Sequence, residues 1–189
     1  MITHFIIGKK YAIDPLADFY KTHFNIDSTG LIFLKGRGEE LPFEDKSFDI
    51  IILANVLDHV ESPKKVLSEV KRVLKDNGIF HFENLFYQKK FLILAKIWGF
   101  IKKLFIGKMF NIHHPFMFTL KDLKRITYDN FSILREDIGR EIAYYENFNE
   151  FKGLKRKDKN LKTKILAFLG LYGTINYIAI CRKNMSSSV

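Results

Sequence analysis

The stretch FDIIILANVLDHVESPKKVLSEVKRVLKDNGIFHFEN, residues 48–84, decides the fold. It opens with a continuous β-branched run at residues 50–53, which predicts a strand buried on both faces. Ser62 is a natural N-cap and Pro63 stands at the first position of a helix, whose apolar face is Val66, Leu67, Val70, Val73 and Leu74. Gly78 is expected to cap this helix in the left-handed conformation, and IFHFEN supplies the next strand. Strand, helix and strand in close order predict a right-handed βαβ unit in a parallel sheet.

The flanking segments extend this pattern in both directions. Residues 11–13 read as a short strand that stops at Asp14, with a helix from Pro15, and an apolar run between two glycines at 30–36 predicts another buried strand. TLKDLKRIT predicts a helix capped by Thr119, and FSILREDI and NYIAICRK predict two final strands. The chain is therefore expected to be an α/β protein with helices on both faces of the sheet.

Composition favours one globular domain of residues 1–184 and a disordered tail, 185–189. The 189 residues are 47% hydrophobic, and the single cysteine, Cys181, predicts a packed strand residue in a reducing, cytoplasmic setting. The net charge of +10 is consistent with an anionic partner or with a solvated basic surface, and no motif for specific nucleic-acid recognition accompanies it. Lysines interrupt the longest apolar region, residues 91–110, so it is too polar to span a membrane.

The block GRGEELPFEDKSFD, followed by NVLDHV, SPKKVLSEVKRVLKDNG and a closing strand, resembles the middle of the class I S-adenosylmethionine-dependent methyltransferases, in particular the type 11-like branch. HHPFMFTLKDLKRI and YIAICRK resemble later segments of the same family. The resemblance implies a Rossmann-like sheet with strand order 3-2-1-4-5-7-6 and S-adenosylmethionine as cofactor. It also implies that the chain begins after the family's first strand and glycine-rich loop, as an N-terminally truncated form.

The resemblance implies a cofactor site along the loops that follow the strands. Asp14 matches the acid that binds both ribose hydroxyls, and a carboxylate can accept two such bonds; capping the next helix is its alternative role. Pro15 and Leu16 would line the adenine, and Gly38 and Glu39 would contact it, although Arg37 occupies a place where relatives often carry Asp. The alternative for Glu39 and Glu40 is that both are solvated loop acids. Asn55 would lie beside the methionine end of the cofactor.

His59 matches a position that faces the substrate, where it would act as a base or, as we prefer, as a packing or positioning residue. Asp58 and Glu61 are expected to be cap and surface acids. His113 and His114 are adjacent in a loop with no further ligand close in sequence, so no metal is predicted.

Two stretches are predicted to interrupt the domain: a helical lid or insertion at 85–112 and a basic insertion at 141–174. The leading hypothesis is a methyltransferase acting on a small-molecule or lipid-like acceptor. The alternative is a non-catalytic relative whose basic apolar helix, residues 89–108, contacts a membrane surface or an acidic partner.

Overall fold

The computed structural model describes residues 8–23, 30–93, 97, 115–140 and 174–183. The strands are β1 (Lys10–Asp14), β2 (Leu31–Lys35), β3 (Phe48–Ala54), β4 (Leu74–Tyr87), β5 (Phe131–Arg140) and β6 (Thr174–Lys183). The helices are α1 (Ala17–His23), α2 (Pro63–Val73) and α3 (Leu120–Tyr128). The predicted α/β class is confirmed, and each described element lies close to the segment that predicted it.

The described strands form two sheets. β1 and β2 pair in parallel, and the second sheet has the order β3-β4-β6-β5, in which β3 and β4 are parallel and β6 is antiparallel to both β4 and β5. A cluster of three aromatic rings links the sheets: Tyr11 of β1 lies with its ring centroid 5.1 Å from that of Phe43 and 5.7 Å from that of Phe48. The carboxyl ends of β1 and β3 each lead into a loop that carries predicted site residues.

One face of the larger sheet carries the core. The buried residues Phe80, Phe82 and Phe86 alternate along β4 and pack in one cluster with the buried faces of α2 and α3. Tyr177, Ala179 and Cys181 of β6 complete this face. On the opposite face Ile50 is 44% exposed, so the prediction of a strand buried on both faces is wrong for β3 in the described part of the chain.

Both longer helices begin where local sequence signals predicted. The Ser62 hydroxyl accepts a hydrogen bond from the Lys65 amide at 3.3 Å, and Pro63 occupies the first turn of α2. Thr119 and Asp122 form a reciprocal capping box at the start of α3.

The predicted end of α2 is wrong. The helix ends at Val73, and the chain enters β4 at Leu74, so Gly78 lies inside a strand and not in a left-handed cap. A Cβ at Gly78 would lie 2.6 Å from Cδ1 of Leu74, so close approach to that side chain explains the glycine. The strand then continues to Tyr87, three residues into the predicted insertion 85–112; most of that segment, and residues 141–173, lie outside the described residues.

Candidate functional site: the carboxyl ends of β1 and β3

Asp14 ends β1, and its side chain is shaped by the turn that follows it. The Oδ1 atom of Asp14 accepts a hydrogen bond from the Leu16 amide at 2.7 Å, an Asx-type turn that leads into α1. The predicted local capping role is therefore present. The carboxylate of Asp14 remains partly exposed, and Leu16 beside it is 55% exposed. A hydrogen-bond acceptor and an apolar side chain therefore lie next to each other at the end of the strand.

The loop of residues 36–47 follows β2 and lies against both sheets. Gly36 donates its N–H to the main-chain oxygen of Asp14 at 3.4 Å, which ties the start of the loop to the end of β1. A Cβ at Gly38 would lie 3.3 Å from the side chain of Val66, so this glycine allows the loop to approach α2 closely. Glu39 Oε1 accepts bonds from the amides of Glu61 and Ser62, at 2.8 and 3.3 Å. One oxygen of Glu39 is thus already engaged at the start of α2.

Arg72 fixes the second half of this loop, a role that the sequence analysis missed. Its guanidinium donates to the main-chain oxygens of Leu41 at 3.0 Å and Phe43 at 2.7 Å, and to Asp45 Oδ1 at 2.9 Å. It also forms a bidentate pair with Glu69, at 2.8 Å for both bonds, while Glu69 accepts the Leu41 amide. The hydrogen bond from Arg72 holds the pKa of Glu69 below its usual range. The loop is therefore held against α2 by hydrogen bonds to Arg72 and Glu69.

Asn55 follows β3 with a backbone φ of 53°, in the left-handed region that asparagine tolerates better than most residues. The side chain of Asn55 is exposed, and its main-chain N–H donates to the main-chain oxygen of Glu83 at 2.8 Å. Asn84 is fully buried. Its Oδ1 atom accepts a hydrogen bond from the main-chain N–H of Leu57 at 3.2 Å, and its Nδ2 atom donates one to the main-chain oxygen of Leu85 at 3.0 Å. Asn84 thus ties the loop after β3 to β4.

His59 lies in that loop with its side chain 49% exposed, and its Nε2 atom is 3.6 Å from Oδ2 of Asp58. Asp58 and Glu61 were predicted to be cap and surface acids, and Asp58 is not at the surface, because the residue is 3% exposed. Glu61 is an exposed acid that pairs with Arg37 at 2.5 Å. His113 and His114 lie outside the described residues.

These residues fit a nucleoside in part. Asp14 offers a reachable carboxylate for ribose hydroxyls, and Leu16 and Gly38 offer an apolar and a main-chain surface nearby. The carboxyl ends of parallel strands are also where open α/β sheets bind ligands. A cavity of about 450 Å³ lies at the other ends of β1 and β2, lined by Gly8, Lys9, Tyr11, Gly30, Leu31 and Ile32, and we do not assign the nucleoside there.

Comparison with known proteins agrees with this geometry. A family model described as methyltransferase domain matches residues 5–82. The ubiquinone/menaquinone biosynthesis C-methyltransferase UbiE of Brucella canis is 32% identical over 123 residues, which cover 62% of this chain and 45% of that protein. The chain therefore spans under half the length of this curated relative.

Two solved structures share the fold at low sequence identity. A methyltransferase of Haloferax volcanii, in complex with the Trm112 activator, has a TM-score of 0.57 at 18% identity, over 93% of this chain and 73% of that one. The [4+2]-cyclase SpnF has a TM-score of 0.55 at 16% identity, over 93% and 67% of the two chains. Residues 5–82 thus resemble the methyltransferase domain in sequence, and the chain shares its fold with solved methyltransferase structures. The resemblance is confirmed, and the cyclase shows that the fold alone does not define the reaction.

Among the described residues, none of the helices combines the length and the apolar character needed to cross a membrane.

Proposed function

We propose that this chain binds S-adenosylmethionine and belongs to an enzyme that transfers the methyl group to a small, apolar acceptor. The observation that carries the proposal is the reachable carboxylate of Asp14 at the end of β1, next to a loop that α2 already holds in place. The match of residues 5–82 to the methyltransferase domain supports the choice of cofactor. The name of the UbiE relative, a C-methyltransferase of ubiquinone/menaquinone biosynthesis, supports an apolar, lipid-like acceptor.

In this proposal Asp14 accepts the two ribose hydroxyls, and Pro15 and Leu16 border the adenine. The main chain at Gly38 contacts the adenine ring, and Glu39 contributes through its second oxygen, because Oε1 already caps α2. Asn55 lies toward the methionine end. S-adenosylmethionine supplies a methyl group on a sulfonium that is already activated, so the protein has mainly to align the acceptor with it.

His59 is proposed as a positioning residue on the acceptor side. It follows the left-handed turn at Asn55, and its half-exposed ring lies next to the buried Asp58. A buried acid beside an exposed imidazole restricts the orientation of the ring, which suits a residue that positions a substrate. A role as general base is the second possibility for the same side chain, and a His59→Gln variant separates the two by the pH profile of turnover.

Isothermal titration of the 189-residue chain with S-adenosylmethionine tests the proposal. We expect binding by the natural chain and a loss of at least about tenfold in affinity for Asp14→Asn, since bonds to a charged acceptor are among the stronger ones. Asp18→Asn is the matched control, because Asp18 is an exposed acid of α1 that pairs with Lys35 at 3.1 Å. No heat in a folded sample, or equal loss in both variants, would contradict the proposed site.

A further inference from the structure

A second polar cluster lies beside the candidate site, on the face of the larger sheet opposite the aromatic core. It consists of His81 and Glu83 of β4 and Asn176 of β6. Asn176 donates from Nδ2 to Glu83 Oε1 at 2.5 Å, and His81 Nε2 lies 3.7 Å from Glu83 Oε2. The side chains of His81 and Glu83 are only 22% and 13% exposed. A carboxylate is thus held in a mostly buried position by a neighbouring amide.

Two atoms of this cluster lack hydrogen-bond partners within the part of the chain that the structure describes. They are Nε2 of His81 and Oδ1 of Asn176, and both are buried. Buried polar atoms are satisfied in the great majority of cases, so two such atoms around one carboxylate call for a partner. A bound group with a hydrogen to donate can serve both Glu83 and the Asn176 oxygen.

The position of the cluster connects it to the candidate site. Glu83 pairs in register with Ala54, the last residue of β3, and its main-chain oxygen accepts the amide of Asn55. The cluster therefore borders the carboxyl end of a parallel strand pair, where ligands bind in open α/β sheets.

Its surroundings are apolar. Glu83 stands between Ala54 and Ile178 in the sheet, and His81 between Ile52 and Ile180. A groove of about 200 Å³ runs along Ile178 and Ile180, with Arg135, Glu136 and Asp137 on its far side. The Glu83 carboxylate thus adjoins aliphatic side chains, while the charged residues of β5 lie across the groove, an arrangement that suits an apolar molecule with a hydroxyl or amine at one end.

We propose that Glu83, Asn176 and His81 bind the hydroxyl or amine of the methyl acceptor, with the acceptor's apolar body over Ile178. That the molecule bound at this cluster is the methyl acceptor rests on the proposed function. The binding itself does not, because the cluster needs no cofactor to receive a hydrogen-bond donor.

Nuclear magnetic resonance of the 189-residue chain tests this site in the absence of S-adenosylmethionine. The probes are phenol, benzylamine and anisole, which have similar bodies; anisole has no hydrogen to donate. We expect saturable shifts of the Asn176 side-chain amide and the His81 ring with phenol or benzylamine, and at least about tenfold weaker binding of anisole. A response to phenol alone assigns a hydroxyl, and a response to benzylamine alone assigns an amine.

Glu83→Gln removes the charge and keeps an oxygen for Asn176, so it should weaken binding of the responding probe at least about tenfold. Asp49→Asn is the control: this exposed acid lies at the opposite end of β3 from Ala54 and pairs with Lys75 at 2.8 Å, so its change should leave binding unaltered. Equal binding of anisole, or unmoved signals with all three probes in a folded sample, would overturn the proposal. The comparison of phenol with anisole needs no variant, and cofactor titration separately decides the proposed function.

Discussion

Replacing Asn84 by leucine should destabilise the protein and loosen the loop that carries Asn55 and His59. Asn84 is fully buried, and so is Leu57, whose amide it accepts at 3.2 Å. Leucine has a similar size but offers no acceptor, so the Leu57 N–H would be left buried without its partner. An unsatisfied buried group costs about 1–3 kcal/mol, and the lost bond to the Leu85 oxygen adds roughly 1 kcal/mol at most. We therefore expect a loss of about 2–3 kcal/mol.

Urea unfolding measures this loss, with Asn77→Leu as the matched control. Asn77 lies on the same strand but is exposed, so its replacement should change the unfolding free energy by only ~0.5 kcal/mol. Amide exchange gives a second readout, because the Leu57 N–H should exchange faster in Asn84→Leu while the amides of the control stay protected. If the two variants were equally stable, the tie between β4 and the loop after β3 would not exist as described.

The remaining predictions concern the Arg72–Glu69 pair that holds the loop of residues 36–47, the cap of α3 and the buried thiol of Cys181. The hydrogen bond from Arg72 lowers the pKa of Glu69. The stability that this bond contributes is therefore present above the usual pKa of a glutamate and is lost as the pH falls through the lowered pKa of Glu69. Arg72→Met should make the midpoint of urea unfolding depend less on pH in this acid range. Thr119→Ala removes the two hydrogen bonds of the Thr119 hydroxyl, which accepts from the Asp122 amide and donates to Asp122 Oδ2, and it leaves the bond from the Thr119 main-chain N–H; the change should cost about 1 kcal/mol. Burial raises the pKa of Cys181 to about 12, so the thiol should react with a disulfide reagent at pH 8 only after unfolding.

Each of these has an outcome that would contradict it. An unchanged acid dependence in the Arg72 variant would mean that Glu69 is stabilised by something other than the guanidinium. A Thr119 variant as stable as the natural chain would show that α3 does not depend on its cap. Rapid labelling of Cys181 in native buffer would place β6 at the surface.

The sequence predicted those features that local signals determine. Ser62 with Pro63, and Thr119, are caps whose partners lie within a few residues, and both caps were predicted correctly. The strands around Asp14 and Asn55 followed from apolar runs, and the family resemblance supplied their order.

The errors arose where distant packing overrides a local signal. Gly78 looked like a helix cap, but it lies in a strand, where the side chain of Leu74 occupies the space that a Cβ would need. Asp58 was predicted to be one of the cap and surface acids of a polar loop, yet the fold buries it.

The missed residues share one property, which is contact across long separations in sequence. Arg72 binds loop residues that are 27 to 31 positions away in sequence, and Asn176 donates a hydrogen bond to Glu83, which is 93 positions away. Neither contact has a signature in the sequence around it. Residues 36–47 carry acids and turn residues, but nothing in the sequence indicates that Arg72 of α2 binds them, and IFHFEN was predicted only as a strand.

The central claim is that Asp14 is the ribose ligand of a cofactor site at the end of β1. A crystal structure of the 189-residue chain with S-adenosylhomocysteine tests it most directly. The account predicts the ribose hydroxyls against the Asp14 carboxylate and the adenine next to Leu16 and Gly38. A nucleoside bound elsewhere, such as in the cavity at Gly8 and Gly30, or no nucleoside in a well-folded crystal, would contradict it.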